Sequence, residues 1–143
     1  MDGQDGWQDG WQDGTGLVIL PGGATVRGRR SRDDASPADF ALVLAGGPVP
    51  ARTGRRVHWP DFWIPLDRAD ALAALHEALA RARSGERVEV VCAGGIGRTG
   101  TALAALAILD GLPRAEAVQY VRDRYHPRAV EMPWQRWWLR GVR

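Results

Sequence analysis

The single cysteine of this 143-residue chain, Cys92, stands six residues before Arg98. Ala93, Gly94, Gly95, Ile96 and Gly97 lie between them, and Thr99 follows directly. Small and glycine residues let successive backbone N–H groups turn inward and converge on one point. A helix expected from Thr99 aims its positive end at the same point. Arg98 can clamp two oxygens of an oxyanion bidentately. At the bottom of such a cradle a cysteine is favoured as the thiolate. An anion cradle, a fixed cation and an activated sulfur together suit phosphoryl transfer from a phosphomonoester. The plainer alternative is a buried structural cysteine beside a glycine-rich turn, which leaves the C-x5-R-T spacing without a purpose.

The same stretch also fits a dinucleotide fingerprint, Gly95-x-Gly97-x-x-Gly100, with Glu116 at a suitable distance downstream. That fold needs a second parallel strand ending at the acidic residue. Glu116 instead sits in a helical pattern, nothing after Asp110 reads as strand, and neither Cys92 nor Arg98 is explained. The phosphoryl reading is preferred.

With those residues in view, the loop resembles the H-C-x-x-G-x-x-R-[ST] signature of the cysteine-dependent protein tyrosine phosphatase superfamily. Trp59-Pro60-Asp61 resembles its W-P-D loop, with Asp61 placed 31 residues before Cys92. The resemblance runs from about Val57 to the C-terminus, and the small size is similar to the compact dual-specificity type. It implies that Cys92 attacks phosphorus and becomes a phosphocysteine. Arg98 and the amides of Ala93, Gly94, Gly95, Ile96 and Gly97 would hold the phosphoryl oxygens. Asp61 would protonate the leaving oxygen and then act as base on water. Thr99 would offer its hydroxyl to the sulfur. Ala129 to Gln135, A-V-E-M-P-W-Q, resembles the family's A-[IV]-E-x-x-x-Q segment, in which Gln135 positions the hydrolytic water. Asp67, the rival acid, reads better as a helix N-cap.

Two positions depart from the pattern: Val91 replaces the family histidine and Ala93 the usual serine. Slower chemistry is expected, and a protein that binds phosphorylated ligands without turnover stands as the alternative. A pure binder, however, needs no general acid. Sulfur transferases, which also set a cysteine in an anion loop, have no use for W-P-D. The uncharged residues 93–97 favour a singly phosphorylated head group such as phosphotyrosine over a phosphoinositide, without deciding between tyrosine-specific and dual-specificity action. Trp59, Phe62 and Trp63 either line the pocket or pack the loop on the core. Trp134, Trp137 and Trp138 read as helix-to-core packing. His58, His76 and His126 are given no role.

The elements that must position these residues read as follows. Leu17 to Leu20, P-G-G and Ala24 to Arg27 form a hairpin, two β-branched runs around a turn. Phe40 to Leu44 is a buried strand ended by Gly46-Gly47, followed by a loop from Pro48 to Gly54 and a short strand over Arg56–Trp59. A helix runs from Asp67 to about Ser84, with Leu72, Leu75, His76 and Leu79 on one face and Gly85 as its stop. Arg87 to Cys92 is a strand. Helices follow over Thr99–Asp110, from Pro113 to about Tyr125, and from Pro133. The order predicts an α/β (α+β) domain, with a central mostly parallel sheet flanked by helices and the C-x5-R loop at the carboxyl end of a central strand. Residues 15–143 form one catalytic domain. Residues 1–14, with their Q-D-G-W repeat, read as a disordered low-complexity tail.

Composition bounds the rest. Hydrophobic content of 45% is ordinary for a globular protein. The net charge is +2, and the high pI of about 9.3 reflects an all-arginine basic set, which points to a GC-rich bacterial genome more than to nucleic-acid binding. One cysteine excludes an intrachain disulfide and fits a reducing compartment. The scattered histidines offer no metal-ligand spacing, and the mechanism requires no cofactor. No signal peptide or spanning segment is read. The expected protein is cytoplasmic, with a phosphorylated protein or peptide as partner and neither nucleic acid nor membrane.

Overall fold

The computed structural model describes Trp11, residues 14–45 and residues 49–143. Most of the stretch read as a tail, and the Gly46-Gly47 strand stop, lie outside the described residues. Trp11, within that stretch, is buried, with the Arg27 guanidinium 4.3 Å from its ring centroid.

Five strands and four helices follow in the order β1 (Leu17–Ile19), β2 (Thr25–Arg30), β3 (Phe40–Leu44), β4 (Thr53–Val57), α1 (Arg68–Arg83), β5 (Val88–Cys92), α2 (Gly97–Leu109), α3 (Arg114–Arg124) and α4 (Pro133–Leu139). The sheet order is β1-β2-β5-β3-β4. β1 and β2 form the expected antiparallel hairpin, and every other pairing is parallel. The mostly parallel sheet with flanking helices is therefore as the sequence predicts.

β5 lies in the middle of the sheet and is buried at all five residues, as is β3. This is the apolar, β-branched composition that a parallel strand covered on both faces demands. Side chains alternate between the faces. Val88, Val90 and Cys92 join Phe40, Leu42 and Leu44 in the main core, together with buried residues of all four helices. On the opposite face, Glu89, the second residue of β5, is buried. Its carboxylate receives the Arg27 Nη2 at 2.5 Å and the Arg29 Nε at 2.7 Å. Val91 lies on that second face as well, buried and paired in register with Val43.

Four readings are corrected. β4 begins at Thr53, so Thr53 and Gly54 belong to the strand, because β3 supplies a parallel partner from Phe40 onward. α2 begins two residues before Thr99. α1 is capped as expected, the Asp67 carboxylate accepting the Asp70 N–H at 3.0 Å, but its inner face is Ala71, Ala74, Leu75, Ala78, Leu79 and Ala82, leaving His76 exposed. Of the C-terminal tryptophans only Trp138 is core, tilted against Trp59 with ring centroids 5.5 Å apart.

α2 is buried from Gly97 to Ile108, which suits a helix that is apolar all round. It packs against β5 and β2 on one side and against α1, α3 and α4 on the others. The loop 93–96 is thus held between the central strand and the central helix. Among the described residues no helix is long and apolar enough to cross a membrane.

Candidate active site

Cys92 ends β5 and is only 3% exposed. Its sulfur accepts the Gly95 N–H at 3.1 Å and the Thr99 hydroxyl at 2.9 Å. The first-turn amides of α2, those of Gly97, Arg98 and Thr99, have no acceptor within the helix and add their dipoles above the sulfur. Left-handed backbone at Gly95 (φ +66°) closes the turn. A Cβ there would lie 2.8 Å from the Arg30 nitrogen, so the position needs glycine twice over.

Arg98 is buried to 4% exposure. Its Nη1 donates to the carbonyls of Leu44 and Trp59, each at 3.0 Å, and its Nη2 lies 3.3 Å from Asp61 Oδ1. The Nε–H is buried with no partner among the described residues. A buried donor left open is costly.

Asp61 sits at the tip of a tight turn. The Trp63 N–H reaches the Pro60 carbonyl at 3.1 Å, and Phe62 is left-handed (φ +59°). The Asp61 side chain is largely exposed and also accepts the Phe62 N–H at 3.0 Å. It is therefore a turn residue and a neighbour of Arg98 at once. Trp59 anchors the turn from inside through an Nε1 bond to the Trp63 carbonyl at 2.8 Å. α4 anchors it from outside: Trp134 Nε1 donates to the Phe62 carbonyl at 2.6 Å, and the Trp134 ring is tilted on Trp63 at 5.5 Å. Buried Gln135 donates its Nε2 to the Trp63 carbonyl at 3.1 Å and accepts the Met132 N–H at 3.0 Å. Trp59 is thus core, whereas Phe62 and Trp63 are exposed beside Asp61.

The far side of α2 meets the segment Ala129–Glu131. A Cβ on Gly97 would collide with the Glu131 carboxylate, and one on Gly100 would lie 2.8 Å from Ala129 Cα. Arg122 holds that segment by donating to the Ala129 and Val130 carbonyls, both at 2.8 Å. Val130 is left-handed (φ +62°), a strained state for a β-branched residue.

The structure brings together Cys92, Arg98, Thr99 and Asp61, and places Gln135 on the turn that carries Asp61. Sequence reading did not find Arg122, Glu131, the loop contact of Trp134, or Tyr125, whose hydroxyl donates to the Gly95 carbonyl. The A-V-E-M-P-W-Q match pointed at this segment but drew out Gln135 alone. No signal marks Tyr125. The dinucleotide reading fails, because α2 leads only to helices among the described residues and Glu116 lies in the first turn of α3.

The family model described as protein-tyrosine phosphatase matches residues 53–128, more than half of the sequence, and the chain belongs to that family. Among solved structures, Tk-PTP in its active form is 29% identical with a TM-score of 0.63, over 73% of this chain and 78% of that one. A kinase associated phosphatase with serine at its catalytic-site cysteine is 18% identical with a TM-score of 0.62, over 71% and 66% of the two chains, a likeness of fold. No curated protein sequence matches the chain.

Proposed function

We propose that this phosphatase is a cysteine-dependent phosphomonoester hydrolase acting on a phosphorylated protein or peptide, phosphotyrosine favoured, with residues 15–143 as its single catalytic domain. The Cys92 thiolate attacks phosphorus, and the bond from phosphorus to the leaving oxygen breaks as Asp61 hands that oxygen its proton. Asp61, now a carboxylate, takes a proton from water. The water oxygen bonds to phosphorus, the sulfur–phosphorus bond breaks, and the Thr99 hydroxyl stabilises the departing thiolate. Arg98 and the amides of residues 93–97 carry the charge on the phosphoryl oxygens through both steps. The nucleophile is a sulfur and its charge is met by fixed cation and amides, so the chemistry assigns no task to a metal. Gln135, which uses one of its two amide hydrogens on the Trp63 carbonyl, is assigned the hydrolytic water by the resemblance of its segment to the family's.

The observation that carries this reading is the position of Asp61, 3.3 Å from a guanidinium that is itself locked to the carbonyl of Trp59. One cation ties the acid-bearing turn to the anion cradle. Phosphotyrosine is favoured by the uncharged loop and by exposed Phe62 and Trp63 beside Asp61, which suit an aryl head group. The test is hydrolysis of a small aryl phosphate from pH 5 to 8 in excess chelator. Turnover should vanish in Cys92→Ser and fall about 10²–10⁴-fold in Asp61→Ala. A wild type that binds vanadate but turns nothing over would replace the enzyme with a protein that only holds phosphorylated ligands.

A further inference from the structure

Three of the four residues 94–97 are glycine. Glycine lowers the cost of rotating a peptide plane, so the loop's own backbone does not fix which way each N–H points. A tie from outside is required, and Tyr125 supplies one. It stands at the C-terminal cap of α3, and its hydroxyl donates to the Gly95 carbonyl at 2.5 Å. The ring has room only because residue 28 is glycine: a Cβ there would lie 2.6 Å from Tyr125 Cε1. Gly28 pairs with Val90, two residues before Cys92 in the central strand.

Gly95 is therefore held at both ends, its N–H on the Cys92 sulfur and its carbonyl on Tyr125. In a trans peptide the carbonyl and the following N–H point in opposite directions. Drawing the Gly95 carbonyl out toward Tyr125 turns the Ile96 N–H inward. Resting on the reading of residues 92–98 as a phosphoryl cradle, we propose that Tyr125 is a positioning residue for that cradle: its hydroxyl fixes the Gly95–Ile96 peptide so that the Ile96 N–H faces the bound oxyanion. Burial, with the nearby Cys92 charge adding to it, pushes the Tyr125 phenol well above its ordinary value. The group thus stays a donor throughout the range in which a phosphatase is assayed.

Tyr125→Phe tests this, since it keeps the ring on Gly28 and removes only the hydroxyl. The readouts are the vanadate dissociation constant, kcat and KM for an aryl phosphate, and the amide NMR signals of Gly95 and Ile96 with and without inorganic phosphate. The expected result is vanadate affinity and kcat each down about tenfold, the loss of one hydrogen bond to a charged group. The Ile96 amide should broaden, and its response to phosphate should shrink. Wild-type affinity together with an unchanged Ile96 response in Tyr125→Phe would overturn the proposal, whatever happens to thermal stability. A wild type that binds vanadate without turnover removes the hydrolase reading alone, because affinity and the Ile96 signal still report on Tyr125.

Discussion

The Arg98 guanidinium donates to the carbonyls of Leu44 and Trp59 and stands beside Asp61, with its Nε–H left open. Lysine could not reproduce this. An ammonium is a point charge and lacks the planar fork that spans two carbonyls here and, in the proposed mechanism, an oxyanion. Arg98→Lys is expected to lower kcat/KM by about 10²–10³, the scale of losing an oxyanion donor, and to weaken vanadate binding with it; steady-state kinetics and vanadate inhibition check both. In the proposed mechanism Thr99 acts on a different step. Its hydroxyl lies 2.9 Å from the sulfur, and a hydrogen bond to a charged group contributes about 1.5–3 kcal/mol, or about 10- to 100-fold in rate. Thr99→Ala should therefore slow breakdown of the phosphocysteine more than its formation. A rapid-quench burst of phenol followed by a slow steady state is the expected trace. Val91, which replaces the family histidine, sits on the sheet face opposite Cys92, so any effect it has on the cradle passes through the backbone of β5.

At the scale of elements, the Asp61 turn is held by α4 as well as by its own residues. Trp134 contributes a hydrogen bond to the Phe62 carbonyl and a ring contact with Trp63. Trp134→Ala should lower kcat by about tenfold, equivalent to one lost hydrogen bond, while vanadate affinity stays at the wild-type level, because the cradle itself is untouched. Measuring the two quantities together separates loop docking from cradle damage. α4 was read from Pro133 in the sequence, but the use of Trp134 was not, since a tryptophan at helical spacing looks the same whether it faces the core or a neighbouring loop. The strands show a similar divide. β3 and β5 were legible from β-branched, apolar runs. β4 was placed three residues late, because Gly54 is a weak strand former that breaks the pattern after Thr53, and pairing with β3 recruits both. The start of α2 was missed for a related reason: a glycine looks like loop, whereas Gly97 opens the helix where a side chain would meet Glu131.

Across the whole molecule, two ion clusters tie the sheet together, and neither shows in the local sequence. Glu89 is one polar residue in an apolar strand, and it is buried under Arg27 and Arg29 from β2. Removing one partner of a buried cluster strands the remaining charge, at about 3–5 kcal/mol. Glu89→Ala should thus lower Tm by about 10 °C in a thermal melt. Asp39, ahead of β3, accepts the backbone and side-chain N–H groups of Arg87 and the guanidinium of Arg52. The Arg87 bonds above all hold its carboxyl far below the usual carboxylate range. A depressed folded value contributes stability that is present above the unfolded value of about 3.9 and is lost as pH falls below it. The Tm gap between wild type and Asp39→Asn should be widest near pH 7 and narrow between about pH 4 and pH 2. The C-x5-R-T loop was legible because it is compressed into eight neighbouring residues; these clusters span distant strands and depend on a register that no local pattern encodes.

The central claim is covalent catalysis at Cys92. The most direct measurement is to mix the Gln135→Ala variant with an aryl phosphate, quench in acid within milliseconds, and map the adduct by mass spectrometry. One phosphate is expected on the peptide containing Cys92, absent from Cys92→Ser. Steady turnover with no adduct, persisting in Cys92→Ser, would contradict it.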